Sequence, residues 1–227
     1  MKIAQKLRKE NIAEYLLYMW QIEDLIRAFG CSLPVIRRNY ISQFKDLSDE
    51  ELEDEIDWFS NLIRMMNEEG KREAGHLNIN KVLLQDLEDL HSRLLQSTKF
   101  PFYSGEYYKV LPFIVELRQK NKQAEAKARR DEQDGVADNE ELSLLNSDID
   151  NKSEVETCFE ALYGTMILRM QGKEISPETQ HALKEITTLV GLLNDYYIKD
   201  RDEGLEYQTN VELRILNVKL VALRAII

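Results

Sequence analysis

Asn11–Phe29 reads NIAEYLLYMWQIEDLIRAF, and this stretch decides the fold. It contains no Gly or Pro, is rich in strong helix formers, and meets Gly30, where a left-handed helix cap forms most easily. At about 100° per residue, Ile12, Tyr15, Leu16, Met19, Trp20, Ile22, Leu25, Ile26 and Phe29 cover well over half the circumference. Glu10, Glu14, Gln21 and Asp24 keep to a narrow polar strip. A surface helix carries a narrower apolar stripe, so the segment predicts a central helix enclosed by several others. Ile3, Ala4 and Leu7 continue a weaker stripe, which puts the expected start near residue 3.

Outward from this segment the pattern stays helical. Ser32 can cap a short helix with Pro34 in its first turn, whose buried side would be Val35, Ile36, Tyr40, Ile41 and Phe44. Ser48 and Glu51 form a capping-box pattern ahead of Leu52, Ile56, Phe59, Leu62, Ile63 and Met66, and Gly70 ends that helix. Its first turns hold Asp49, Glu50, Glu51, Glu53, Asp54 and Glu55 at the positive end of the helix dipole. A solvated face is the plainer reading of this cluster, and a cation-binding strip the alternative. Asn78 opens a helix with Val82, Leu83, Leu87, Leu90, His91 and Leu94 inward. A turn around Pro101 leads to a helix from about Ser104, kinked near Pro112. Beyond Glu116 it thins into an exposed overhang and a flexible charged linker at about 131–152. Ser153, with Glu156 as capping partner, starts a helix through Val155, Phe159, Leu162, Met166, Ile167 and Met170 to Gly172. Gly164 within it suggests close approach of another backbone. Ser176 and Pro177 begin the last one, with Leu183, Ile186, Leu189, Val190 and Leu193 on one face, ending near Gly204. The predicted class is all-α, a helical bundle domain over residues 1–206 around the long N-terminal helix. An apolar C-terminal extension follows at 207–227, read as helix in preference to strand, that packs on the bundle or on a second copy.

Composition agrees. Nine Gly and four Pro in 227 residues leave little for the many turns of a sheet-rich fold. A net charge of −11 disfavours a phosphate backbone or an anionic lipid surface as partner. The basic spots at Lys2, Lys6, Arg8 and Lys9, at Arg37 and Arg38, and along Arg118 to Arg130 are interleaved with acids or lie on one helix edge. Cys31 and Cys158 are far apart, without Cys or His at metal spacing, as in a reduced cytoplasmic protein. The N-terminus lacks an apolar signal core, and no stretch approaches the roughly 20 apolar residues of a membrane span.

Two blocks, IAQKLRKENIAEYLLYMWQIEDLIRA at 3–28 and EVETCFEALYGTMILRMQGKEISPET at 154–179, resemble an uncharacterised bacterial family of unknown function. The resemblance runs to about Glu206 and implies an all-helical cytoplasmic fold with no assigned catalytic residues. The tail departs from the family pattern.

The sharpest chemical candidate is a pair of Glu-x-x-His motifs, Glu88 with His91 and Glu178 with His181. In di-iron carboxylate bundles such motifs on two helices aim a carboxylate and an imidazole at one metal, and two further helices each add a Glu. Glu23, on the apolar side of the central helix, fits that additional role. A metal-carboxylate enzyme using Glu23, Glu88 and His91 is therefore one expectation. Against it, His181 lies about 140° from Ile186 at the centre of its own apolar face, and Arg27 one turn after Glu23 can neutralise that carboxylate. No nucleophile elbow or phosphate loop occurs. Tyr15, Tyr18, Trp20, Tyr107 and Tyr108 read as core packing, with a groove for a partner or ligand as the alternative. The leading expectation is a non-enzymatic helical scaffold or protein-interaction module without catalytic residues or cofactor. It would act through a protein partner or self-association by the tail or the Gly164 face.

Overall fold

The computed structural model describes residues 2–132 and 152–207, apart from the side chains of 124–132. Its elements are α1 (Lys2–Glu10), α2 (Ile12–Ala28), α3 (Leu33–Asn39), a 3-10 turn (Ile41–Gln43), α4 (Asp49–Glu68), α5 (Asn78–Gln96), α6 (Pro101–Glu132), α7 (Glu154–Met170) and α8 (Pro177–Glu203). Among the described residues there is no strand, so the protein is all-α. None of these helices is long and apolar enough to cross a membrane.

The chain divides into two compact units, Met1–Asp86 and Leu87–Ile227. In the first, α2 buries nine of its 17 residues, Ile12, Ala13, Tyr15, Leu16, Met19, Trp20, Ile22, Glu23 and Ile26. The large apolar side chains among these contribute about 1.5–3 kcal/mol each when fully buried. The expected continuous N-terminal helix is two helices. Asn11 adopts an extended conformation (φ −151°, ψ 95°), and its Oδ1 accepts from Glu14 N at 3.0 Å, so α2 starts on its own cap. α2 ends on Gly30 (φ 65°), with Cys31 N donating to Ile26 O and Gly30 N to Arg27 O. α4 ends the same way on Gly70 (φ 66°), and α7 repeats the bond pattern at Gly172. α4 opens with both halves of the capping box: Glu51 N donates to Ser48 Oγ (3.3 Å) and Ser48 N to Glu51 Oε2 (2.8 Å).

In the second unit α6 packs on α8, and α7 packs on both. Tyr103, Val110, Ile114, Val155, Cys158, Phe159, Ile186, Leu189 and Leu193 are buried there, with Leu87, Leu90 and Leu94 of α5. α6 begins at Pro101, earlier than expected, because a first-turn proline lacks only an N–H that would have no helical partner. Pro112 lies inside α6, and its overhang remains helical to Glu132. At α7 the serine half of the predicted capping box forms, with Glu156 N donating to Ser153 Oγ, and the Ser153 backbone hydrogen-bonds the Glu156 carboxyl in return. Two packing expectations are corrected. Val82 is exposed, 100° around α5 from Leu83, and nothing within 4 Å would meet a Cβ added at Gly164, which faces open space. The expected linker, beyond Glu132 and as far as residue 151, and the expected extension, beyond Tyr207, lie outside the described residues.

Candidate functional site

The first unit contains a cleft of about 360 Å³. Its wall is aromatic: Tyr18 from α2, Tyr40 and Phe44 on either side of the 3-10 turn, and Phe59 from α4. Local bonds shape this wall. The 3-10 turn is held by Ser42 Oγ donating to Arg38 O and Gln43 Nε2 donating to Asn39 O, both at 2.6 Å, with Ile41 buried beneath. That places the Tyr40 ring edge-on to Phe44 (5.1 Å between centroids, 76°) and to Phe59 (5.8 Å, 78°). Burial pushes the Tyr18 phenol up to about 12 and raises Tyr40 as well, so both rings are neutral at ordinary pH.

The rim is charged. Asp46, Glu51, Asp54 and Glu55 line it together with Lys2 and Lys45. Lys2 Nζ donates to Glu51 Oε1, and this bond, with those from Ser48, holds the Glu51 carboxyl down at about 2. Glu51 thus ties α1 to the start of α4 while it completes the cap. A second hollow of about 500 Å³ lies against Leu33, Pro34, Arg37, Arg38, Ser42 and Ile56, more open and without an aromatic ring.

The residues singled out as metal ligands are each engaged. Glu23 is fully buried: Oε1 accepts from Leu77 N (3.0 Å) and Asn80 Nδ2 (2.7 Å), Oε2 lies 2.6 Å from His76 Nδ1, and Arg27 Nη2 stands at 3.8 Å. The carboxylate serves as an anionic cap for the start of α5, supplied from another helix. His76 stacks on Trp20 at 4.2 Å and 13°. Arg27 donates to Lys71 O and Gly75 O, which fixes the loop that delivers His76. Glu88 accepts from Ser153 Oγ.

His91 belongs to a buried cluster in the second unit. Its Nδ1 lies 2.6 Å from the Tyr103 hydroxyl, its Nε2 lies 3.5 Å from Glu154 Oε2, and the Tyr107 ring meets it edge-on at 5.2 Å. Burial lowers the His91 pKa, opposed by the Glu154 charge. Burial also pushes the Cys158 thiol and the Tyr107 phenol up to about 12. The cavity beside this cluster is about 10 Å³, roughly one water. Glu178 and His181 are exposed, as their helical angle requires, with His181 edge-on to Phe113. Among the described residues no group of three or more His, Cys, Asp or Glu is placed to hold a metal ion.

A family model for a domain of unknown function, DUF4924, matches residues 1–130 and 141–204. The chain belongs to the DUF4924 family. No curated protein and no solved structure matches it. The DUF4924 match spans the cleft, the Glu23 network and the His91 cluster, and it stops before residue 205.

Of the flagged aromatic residues, Tyr18 lines the cleft, Tyr15 and Trp20 are core, Tyr107 packs on His91, and Tyr108 is exposed. Sequence reasoning missed Tyr40 and Phe44 as cleft walls because it assigned both to a buried helix face. It also missed His76 and Asn80, which no helical period connects to Glu23.

Proposed function

We propose that this chain is a non-enzymatic helical scaffold that works by binding, with the aromatic cleft of the first unit as its contact point. The carrying observation is a comparison of sizes. The cleft, at about 360 Å³, falls within the range of ligand pockets. The cavity beside His91, Tyr103 and Cys158, at about 10 Å³, gives those reactive groups no room for a substrate. The test is titration of the ¹⁵N-labelled full chain with small aromatic fragments. Amide shifts confined to Tyr18, Tyr40, Phe44, Phe59 and their neighbours are expected. A fragment set that moves none of them removes the cleft as contact point.

A separate observation favours a second reading, protein contact by self-association. On α6, Pro101, Gly105, Tyr108, Pro112 and Val115 are all exposed, and they follow one another at alternating steps of four and three residues. That is the spacing of a helix–helix seam. Light scattering on the full chain and on Tyr108→Glu decides it: a dimer lost on substitution supports the seam, and a monomeric parent removes it. The metal-carboxylate alternative over Glu23, Glu88 and His91 draws no support from their contacts. Stoichiometric iron, manganese or zinc in purified protein, lost on Glu88→Gln, would support it, and none after reconstitution would remove it.

A further inference from the structure

We infer that the cleft receives a compact organic ammonium ion, a free small molecule with an aromatic or branched apolar body and one cationic nitrogen. The inference rests on the cleft being the contact point and adds the chemistry of what fills it.

Three features select that chemistry. The wall is aromatic, with Tyr18, Tyr40 and Phe44 half-buried and Phe59 buried, and aromatic rings pack against an apolar body and attract a cation. The rim carries four carboxylates, Asp46, Glu51, Asp54 and Glu55, against two ammonium groups, Lys2 and Lys45, a formal balance of −2. An anion entering here meets that excess, and a neutral ligand gains nothing from it. The chain itself also seats an ammonium group on this rim, Lys2 Nζ against Glu51 Oε1. The acidic run opening α4 thus has a place in the fold: Glu51, Asp54 and Glu55 face the aromatic recess, and the remaining acids of the run do not line it. At about 360 Å³ the recess accepts one compact ligand, whereas a peptide strand requires a longer groove.

The test uses three probes of one shape, 2-phenylethylammonium, 2-phenylethanol and phenylacetate, together with the peptide Gly-Lys-Gly, each titrated into the ¹⁵N-labelled full chain. The ammonium probe is expected to shift the cleft amides at roughly ten-fold lower concentration than the alcohol, and phenylacetate and the peptide to leave them unmoved. In the Asp54→Asn/Glu55→Gln variant that ten-fold advantage should fall to about two- to three-fold, the part the rings still supply, while 2-phenylethanol binds as before. Asp46→Asn, outside any helix, should reduce the advantage partway and guards against loss of folding in the double variant. Equal binding of ammonium and alcohol overturns the cation assignment and leaves the cleft as contact point. Binding of the peptide without the free amine overturns the small-molecule assignment. No shift with any probe overturns both the inference and the cleft.

Discussion

Replacing Glu23 with Ala tests whether its carboxylate is a structural acceptor. The site is sealed: Glu23 and Leu77 are 0% exposed and Asn80 is 1% exposed. Without the carboxylate, Leu77 N–H and the Asn80 amide lose their acceptor where water cannot replace it. A buried donor left unpaired costs about 1–3 kcal/mol, so two cost about 2–6 kcal/mol. Deleting the one buried methylene, Cγ, adds about 0.8 kcal/mol. A loss of about 3 kcal/mol or more is therefore expected, a large share of the 5–15 kcal/mol or so that holds a domain together. Glu23→Gln keeps one acceptor oxygen and turns an amide toward His76, and should cost about 1–2 kcal/mol. Urea unfolding followed by tryptophan fluorescence reads the right unit, since both tryptophans, Trp20 and Trp58, lie in Met1–Asp86. With a slope of about 2 kcal/mol per molar urea, the Ala midpoint should fall by about 1.5 M and the Gln midpoint by less than 1 M. An Ala midpoint within about 0.3 M of the parent, or equal losses for Gln and Ala, would refute the acceptor role.

Three other predictions follow from single sites. Folding lowers the His91 pKa below its ordinary 6.5. As pH falls through that value the unfolded chain takes up a proton that folded His91 resists, so stability is full above 6.5 and declines on acidification. His91→Gln should flatten this decline between pH 7 and pH 5 in urea melts read by circular dichroism, and an unchanged decline counts against it. Cys158 is buried with its thiol pushed up to about 12, whereas Cys31 is half-buried, so Ellman's reagent should titrate one thiol in the native chain and two in urea. Ser48→Ala removes the serine half of a complete capping box and should cost about 1 kcal/mol in the fluorescence melt; a loss under about 0.3 kcal/mol would show that the cap does not hold α4.

What the sequence made legible was local. Ser48 with Glu51, Pro177 after Ser176, and Gly30 and Gly70 at helix ends each act within one turn, so their types at those spacings suffice to place α2, α4 and α8. The same logic failed at Asn11. In the apolar pattern Asn11 is one ordinary position of a long helix, but its Oδ1 accepts from Glu14 N and the helix splits there. Val82 was misplaced because the inward face of α5 is centred on Leu83, Leu84, Leu87, Leu90 and Leu94, one step further round. The cleft could not be read at all. Its wall comes from α2, the 3-10 turn and α4, and the tight 41–43 turn that aims Tyr40 at Phe44 and Phe59 carries no periodic signal.

Glu23 shows why the function-bearing distinction is tertiary. A carboxylate on the apolar face of a helix must be satisfied, and two chemistries can do it: a metal ion, or a set of hydrogen-bond donors. The residues of α2 alone favour neither. The decision is made by the segment 71–80, where Arg27 grips the carbonyls of Lys71 and Gly75, Trp20 stacks His76, and the chain arrives with Leu77 N–H and the Asn80 amide aimed at Glu23. Once four groups from that segment and α2 surround it, the carboxylate has become part of the start of α5. The same substitution that would disarm a metal ligand would here release a loop and a helix terminus, which is why the Glu23 variants should be read as stability rather than as activity.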